Sequence, residues 1–251
     1  MTIDVMWSFP EFASRARIGM PLSDPPLLTI LAHPSTALAV QFCGQATDYI
    51  DELSLLVDSY DSVRCFVEEA QTALFEEGKP LELTIRPFLW TQSLDYRPPK
   101  DVLTSAPVSY PLIFITQVAN YLGFLEAAKT THETMLRQIR VGAGHSQGIV
   151  AALLLATATT QDELFSLAVK FVRYMFLHGV RAQVTASNNN LANNNNLSPM
   201  LLVRGLDEVA LRNVVDTTNS KLQLDGPHAL QVSLINSVDS IVVTGAATSL
   251  A

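Results

Sequence analysis

The segment QIRVGAGHSQGIVAALLLATA, Gln138 to Ala158, decides our prediction of the fold. Ile and Val near its start predict a short strand over Gln138–Val141, and the Ala- and Leu-rich end predicts a helix over Ile149–Ala158. The residues between them, Gly142 to Gly148, predict a tight glycine-rich turn. A strand that passes through a sharp turn into a helix is the context in which a G-x-S-x-G motif exposes a nucleophilic serine.

Ser146 is therefore the candidate nucleophile, in the motif Gly144-His145-Ser146-Gln147-Gly148. Gly144 and Gly148 lack the Cβ atoms that would clash where strand and helix approach each other closely. The turn would also aim the N-terminus of the helix at the reacting carbonyl. The backbone N–H of Gln147 can then stabilise an oxyanion, so the motif predicts an acyl-transfer active site.

A glycine-rich connector that holds phosphate in a doubly wound sheet is the alternative interpretation. A dinucleotide fingerprint needs a third glycine where Gln147 stands, and the chain has no G-x-x-x-x-G-K-[ST] motif. A nucleophilic serine also needs a general base. His145 is adjacent to Ser146, and on a sharp turn we expect it to point away. The other histidines lie in loops, at element edges or near a predicted helix end, where imidazoles are more often solvated or structural: His33, His132, His178 and His228.

Composition excludes several classes of function. The net charge is −8 and no basic cluster occurs, which argues against nucleic-acid and anionic-membrane partners. Cys43, Cys65 and five histidines have no zinc-site spacing, so we predict no metal and a reduced, cytoplasmic location. The N-terminus lacks the regions of a signal peptide. The apolar run Gly148–Ala158 is shorter than the roughly 20 residues of a membrane span.

The rest of the chain alternates helical and extended patterns. Before the central motif, a strand is predicted over 38–42 and helices over 48–57, 62–76 and 112–128, with Pro107 and Pro111 read as breaks; a helix over 161–177 follows the motif. The Asn-rich residues 187–196 predict a disordered surface loop.

The C-terminal quarter of the chain has a different order of elements. Strands are predicted over 200–203, 230–235 and 240–244, with a helix over 207–217 and a hairpin turn at 236–239. The order β-α-β-β is the first part of a ferredoxin-like unit. Because the chain stops at Ala251, where the second helix should begin, we expect the polypeptide to be cut within a domain.

Taken together, these segments resemble the acyl-CoA:ACP transacylases. The resemblance is closest to the acetyltransferase domain of the fungal-type fatty acid synthase beta subunit and extends to starter-unit transacylase domains of fungal polyketide synthases. It covers roughly residues 38–251. The matching segments are the nucleophile motif, Phe42-Cys-Gly-Gln-Ala46, Val108-Ser-Tyr-Pro-Leu-Ile113, Ser198-Pro-Met-Leu201, Val232-Ser-Leu-Ile-Asn236 and Ile241-Val-Val-Thr-Gly245.

The resemblance implies an α/β-hydrolase-like core with an inserted ferredoxin-like lobe, here incomplete. It implies that Ser146 attacks an acyl-CoA thioester and that the acyl group passes to the phosphopantetheine of acyl carrier protein. The backbone N–H groups of Gln147 and Gln45 would form the oxyanion hole. Partners would be acyl-CoA, acyl carrier protein and other domains or subunits of a multienzyme synthase, with no permanently bound cofactor.

The same resemblance divides the chain and suggests a selectivity. The expected divisions are a loop-rich extension (1–37), a large acyltransferase subdomain (38–186), the Asn-rich loop (187–197) and a partial ferredoxin-like subdomain (198–251). Malonyl-specific relatives carry an arginine that pairs with the substrate carboxylate. His178, before Gly179, stands there instead, and an imidazole is a poor substitute for a forked cation. We therefore predict acetyl or another monocarboxylic acyl group.

The sequence differs from the family pattern at three points. Cys43 and Ala46 replace glycines in the first loop, and Ser237 follows Asn236 where the family often has glycine. The family's catalytic histidine is expected beyond Ala251. A polyketide starter-unit transacylase, a serine esterase and a non-catalytic fragment therefore remain alternative functions.

Overall fold

The computed structural model describes residues 37–44, 49–81, 99–188 and 199–250. These residues form two compact units, which meet in the chain between Val180 and Arg181. Predictions on the N-terminal extension, on Gln45 and Ala46, and on most of the Asn-rich loop lie outside the described residues. The division into subdomains therefore stays a prediction.

The first unit is helix-rich and contains two strands among its described residues. Its elements are β1 (Leu38–Phe42), α1 (Ile50–Ser59), α2 (Asp61–Gly78), a 3-10 turn (Lys79–Leu81), α3 (Lys100–Thr104), α4 (Ala106–Ala127), α5 (His132–Leu136), β2 (Ile139–Gly144), α6 (Gly148–Thr157) and α7 (Gln161–Asn188), the last of which continues into the second unit. Strands β1 and β2 pair in parallel, with Phe42 opposite Gly144. The predicted order of strand, turn and helix around Ser146 is confirmed.

Helix α4 is the central helix of the first unit. Its buried side chains include Phe114, Ile115 and Leu122, which belong to one apolar cluster with residues of α1, α2, α6 and α7. Among the described residues it is the one helix long and apolar enough to cross a membrane, but 78% of its most apolar window is buried within the unit. The sequence analysis predicted this helix over 112–128 and missed the residues before Leu112, because Pro107 and Pro111 were read as breaks.

The prediction that α4 begins at Leu112 was wrong by six residues. Pro107 lies in the first turn of the helix, where backbone N–H groups have no intrahelical partner to lose. Pro111 lies further inside and removes one helical hydrogen bond, and the surrounding apolar packing outweighs that loss. The helix also continues through Gly123, where a Cβ would lie 2.9 Å from the Tyr60 ring.

Helix α7 extends eleven residues beyond its predicted end at Leu177. Gly179 lies within the helix and makes close packing possible, because a Cβ there would come within 2.3 Å of the Ala106 carbonyl oxygen. The expectation that His178 lies near a helix end was therefore wrong. A contact between distant segments, and not local chain reversal, requires this glycine.

His132 is fully buried, which corrects the prediction of a solvated loop histidine. Its Nε2 lies 3.0 Å from the Ala158 carbonyl oxygen, which can only accept, so Nε2 carries the proton. Its Nδ1 therefore accepts from the Tyr121 hydroxyl at 2.8 Å. Burial, with a contribution from Glu133, raises the pKa of Tyr121, so the phenol stays protonated and able to donate. His132 joins α4 to the end of α6 and is thus structural.

Glu126 caps the N-terminus of α2 from another helix. Its carboxylate accepts from the backbone N–H groups of Asp61 at 3.2 Å and Ser62 at 2.8 Å. Burial alone would raise the pKa of Glu126, but hydrogen bonds from Ser62 and Asp61 outweigh it and hold the pKa below its usual 4.5. The carboxylate form therefore favours the folded state.

We expect Glu126→Gln to lower the free energy of unfolding by about 0.5 kcal/mol at pH 7, since the site is exposed and solvent screens the charge. Because the folded pKa is depressed, this contribution is present above the unfolded pKa and is lost as pH falls through the folded one. Urea unfolding of both proteins at pH 7 and pH 3 measures the difference. Glu69→Gln, in the middle of α2, is the control, and an equal effect of the two changes would contradict the capping role.

The second unit is built on a three-stranded sheet. Its elements after α7 are β3 (Met200–Arg204), α8 (Glu208–Leu222), a 3-10 turn (Gly226–His228), β4 (Gln231–Ser237), β5 (Ser240–Thr244) and α9 (Ala247–Leu250). The strand order is β3-β5-β4, and β5 is antiparallel to both neighbours. Strands β3 and β4 therefore run parallel with β5 between them, as in a split β-α-β unit.

One face of this sheet packs against α8. Leu211 and Val215 of the helix contact Ile241 and Val243 of the central strand in a small buried cluster. The predicted strands and the hairpin are confirmed. The side chain of Asn219 also holds the backbone of Leu230 through two hydrogen bonds of 2.9 Å, which fixes the start of β4 against the helix.

Candidate active site

Ser146 lies at the tip of the turn between β2 and α6 and has φ = 53°. This left-handed conformation is uncommon for a residue with a side chain and costs about 1–2 kcal/mol relative to ordinary backbone. The strain persists because a strand and a helix fix both ends of the turn. The serine is exposed, so its hydroxyl is presented to solvent where a substrate can reach it.

The two glycines of the motif are required by close backbone contacts. A Cβ at Gly144 would lie 2.3 Å from the carbonyl oxygen of Gly148, and a Cβ at Gly148 would lie 2.2 Å from that of Phe42. Neither oxygen belongs to a flexible side chain that could move aside. The structure thus confirms the steric reason given for Gly144 and Gly148, and it adds β1 as the neighbour that Gly148 must accommodate.

The end of β1 lies directly beside the serine. His145 donates its backbone N–H to the Phe42 carbonyl at 2.9 Å, which extends the strand pairing into the turn. A Cβ added to Gly44 would come within 2.7 Å of the Ser146 Cβ and 3.2 Å of its Oγ. The backbone at Gly44 therefore forms one wall of the candidate site. Gln45, the next residue and a predicted oxyanion donor, lies outside the described residues.

Gln147 is the N-cap residue of α6, and its backbone N–H donates to no carbonyl among the described residues. That N–H stands at a helix N-terminus and is available to a developing negative charge, in keeping with its predicted role. The side-chain amide of Gln147 is different: its Nε2 and Oε1 are both enclosed and have no partner in the described part of the chain. Sequence reasoning gave no indication of this buried amide.

Within the described ranges, no hydrogen bond joins the Ser146 hydroxyl to a histidine. His145 is exposed on the turn, His132 is committed to its buried hydrogen bonds, and His228 is exposed in the 3-10 turn of the second unit. The general base for Ser146 therefore stays a prediction. No group of His, Cys, Asp or Glu side chains among the described residues could hold a metal ion.

His178 stands between two tyrosine rings. Its imidazole is stacked on Tyr174, with ring centroids 5.8 Å apart and an interplanar angle of 7°, and lies 5.5 Å from the ring of Tyr110. The imidazole is exposed and is held by aromatic faces. This site offers no forked guanidinium to a carboxylate, and its role in acyl selectivity stays a prediction.

Sequence reasoning missed Gln117. Its side-chain Nε2, on α4, donates a hydrogen bond to the Cys43 carbonyl at the end of β1. The two residues are 74 positions apart, so no local motif could have indicated the contact.

Parallel strands joined through a strained, serine-bearing turn to a helix define a mixed α/β fold. Residues 40–251 match the family described as starter unit:ACP transacylase in aflatoxin biosynthesis. The match covers well over half of the chain, and the chain belongs to this family.

Curated relatives are fatty acid synthase subunits. The chain is 32% identical to fatty acid synthase beta subunit aflB of Emericella nidulans, over 83% of this chain and 10% of that protein. It is 28% identical to fatty acid synthase subunit beta of Saccharomyces cerevisiae, over 91% of this chain and 12% of the relative. The chain therefore spans about a tenth of the length of these relatives.

Solved structures share the fold. An acyl-carrier-protein-S-malonyltransferase from Bartonella henselae superposes with a TM-score of 0.59 at 20% identity, over 84% of this chain and 56% of that one. A loading acyltransferase from the avermectin modular polyketide synthase superposes with a TM-score of 0.54 at 19% identity, over 84% of this chain and 55% of that one. At these identities the likeness concerns the fold alone, which is a mixed α/β acyltransferase fold.

Proposed function

We propose that this chain transfers an acyl group from acyl-CoA to the phosphopantetheine thiol of an acyl carrier protein through an ester on Ser146. The observation that carries the proposal is the exposed serine with positive φ, placed at the N-terminus of α6 and beside the backbone of Gly44. Membership of the transacylase family supports the same reaction class.

The reaction has two balanced halves. The Ser146 oxygen attacks the thioester carbonyl and gives its proton to a base; the tetrahedral intermediate collapses, the C–S bond breaks and coenzyme A leaves as a thiol. The carrier thiol then attacks the ester carbonyl, and Ser146 regains a proton as the acyl group departs. The N–H of Gln147, together with that of Gln45, would stabilise the oxyanion in both halves.

A direct test uses the full-length protein and an acyl-CoA labelled in its acyl group. Peptide mass spectrometry after a short incubation should locate a single acyl adduct on Ser146, and addition of holo-carrier protein should remove it. An unmodified Ser146 peptide, or label on another residue only, would contradict the proposal.

The finer fold assignment belongs to this proposal too. The strand order β3-β5-β4, with α8 between the parallel pair in sequence, supports a ferredoxin-like lobe. The serine turn supports an α/β-hydrolase-like core. We expect the domain to work within a larger cytoplasmic synthase and to hold no permanent cofactor.

Acetyl or another uncharged acyl group is the proposed substrate, because His178 presents an imidazole between two aromatic rings. Malonyl-CoA carries a carboxylate that such a site would leave without a fixed cationic partner. A starter unit for a polyketide synthase is the second candidate, favoured by the family description. Transfer rates to carrier proteins of the two synthase types separate the candidates.

Replacing His178 with arginine should raise loading of malonyl-CoA relative to acetyl-CoA by about tenfold, since a charge-assisted hydrogen bond contributes roughly 1.5–3 kcal/mol. Competition between the two thioesters, each with a distinct label, measures the ratio. His178→Gln, which adds no charge, is the matched control. Preferential malonyl loading by the unaltered chain would contradict the proposed selectivity.

A further inference from the structure

The backbone of Cys43 and Gly44 lies against Ser146, and no strand pairing holds either residue in place. Strand β1 ends at Phe42, and the last ladder contact places Phe42 opposite Gly144. Gly44, two residues past the end of β1, nevertheless lies within contact distance of Ser146. Some contact other than the sheet must therefore hold this short segment in place.

Gln117 supplies that contact. Its Nε2 donates to the Cys43 carbonyl, while its Oε1 is enclosed and has no partner among the described residues. Thr116, the neighbouring polar residue, instead bonds within its own helix, to the Leu112 carbonyl at 2.8 Å. A half-buried amide with one unsatisfied atom is unfavourable for stability alone. Its hydrogen bond to the site is thus better explained by function.

The hydrogen bond from Gln117 also affects the other side of the Cys43–Gly44 peptide group, which faces away from Gln117. The carbonyl of Cys43 and the N–H of Gly44 belong to one planar trans peptide and point in opposite directions. Fixing the carbonyl towards α4 therefore fixes the direction of the Gly44 N–H.

We propose that Gln117 is a positioning residue for acyl transfer, which holds the Cys43–Gly44 peptide against Ser146 so that this wall of the site is in place before substrate arrives. The role rests on the proposed acyl transfer. Gln117 touches neither the substrate nor the serine. It acts through the peptide, and loss of its donor should slow the chemical step without weakening the binding of acyl-CoA.

The test compares Gln117→Met, which keeps the length of the side chain and removes the donor, with the unaltered chain. We expect the single-turnover rate of Ser146 acylation to fall about 10- to 100-fold, with the half-saturating acyl-CoA concentration unchanged. Asn120→Leu is the matched control: Asn120 lies on the same helix, and its amide donates to Glu52 and Thr116, away from the serine. This variant should acylate at the unaltered rate.

A second variant separates positioning from folding. In Gln117→Glu the side chain can donate only when protonated, below a pKa of about 4.3. Its acylation rate, relative to that of the unaltered chain, should therefore rise as the pH is lowered from 8 to 4. A flat ratio, or a rate for Gln117→Met equal to that of the unaltered chain, would overturn the positioning role.

Amide hydrogen exchange tests the positioning role of Gln117 separately from the proposed acyl transfer by Ser146. The His145 N–H, bonded to Phe42 beside this segment, should exchange about tenfold faster in Gln117→Met and unchanged in Asn120→Leu. Absence of any acyl-serine in the unaltered chain would refute the proposed function. Unchanged exchange at His145 in Gln117→Met would refute the positioning role, whether or not the chain acylates.

Discussion

Ser146→Ala is expected to lower formation of the acyl-enzyme by about 10⁴-fold or more, because the substitution removes the attacking oxygen itself. The fold should be unaffected, since alanine and serine meet similar strain at φ = 53°. Release of coenzyme A in a single turnover, together with the mass of the Ser146 peptide, measures the loss.

Two further substitutions at the same position separate chemistry from backbone strain. Ser146→Cys should retain acylation, because a thiolate is also a nucleophile. Ser146→Gly should be as inactive as the alanine variant and yet raise the free energy of unfolding by about 1 kcal/mol, since glycine adopts positive φ without strain. Acylation of the alanine variant at the parental rate would show that another residue is the nucleophile.

Gly148→Ala is expected to be strongly destabilising. Its Cβ would lie 2.2 Å from the Phe42 oxygen and 3.0 Å from the Cys43 oxygen, so β1 and α6 must separate. We expect a loss of about 3 kcal/mol, which for a chain of this length lowers Tm by about 6 to 12 °C. Thermal unfolding followed by circular dichroism measures the shift.

Gly142→Ala is the matched control for this prediction. Gly142 lies in β2, two residues before the motif, and among the described residues a Cβ there would meet only the Leu155 Cδ2, at an ordinary 3.8 Å. We expect its Tm to stay within about 2 °C of the unaltered chain. Equal destabilisation by the two substitutions would mean that glycine matters here for chain flexibility and not for the approach of β1 to α6.

The largest errors of the sequence predictions share one physical cause. Pro107 and Pro111 were read as breaks before a helix over 112–128, and the helix after the motif was predicted to end at Leu177. Packing between α4 and α7 decides that the chain stays helical at all of these positions. His132 was predicted to be solvated because it was placed in a loop or at an element edge, yet it is buried and bonded to the Tyr121 hydroxyl and the Ala158 carbonyl, which come from elsewhere in the chain. The sequence pattern around a residue contains no information about partners that come from distant parts of the chain.

The sequence by itself determined the turn around Ser146. A short β-branched run, glycines two residues on either side of the serine and an Ala/Leu-rich helix all lie within 21 residues, so local chain geometry alone leads to the strand, the turn and the exposed hydroxyl. The same local logic gave the elements of the second unit, where alternating strands and a short hairpin follow one another along the chain.

Only the tertiary structure decided what stands around that serine. Gly44 forms its wall, Phe42 presses on Gly148, and Gln117 secures the Cys43 carbonyl from a helix more than seventy residues away in sequence. These contacts join segments that no spacing rule connects, because burial and hydrogen bonding act between chain segments that folding brings together. The nucleophile turn is thus a local property of the sequence, and the surroundings that would let it act are a property of the fold.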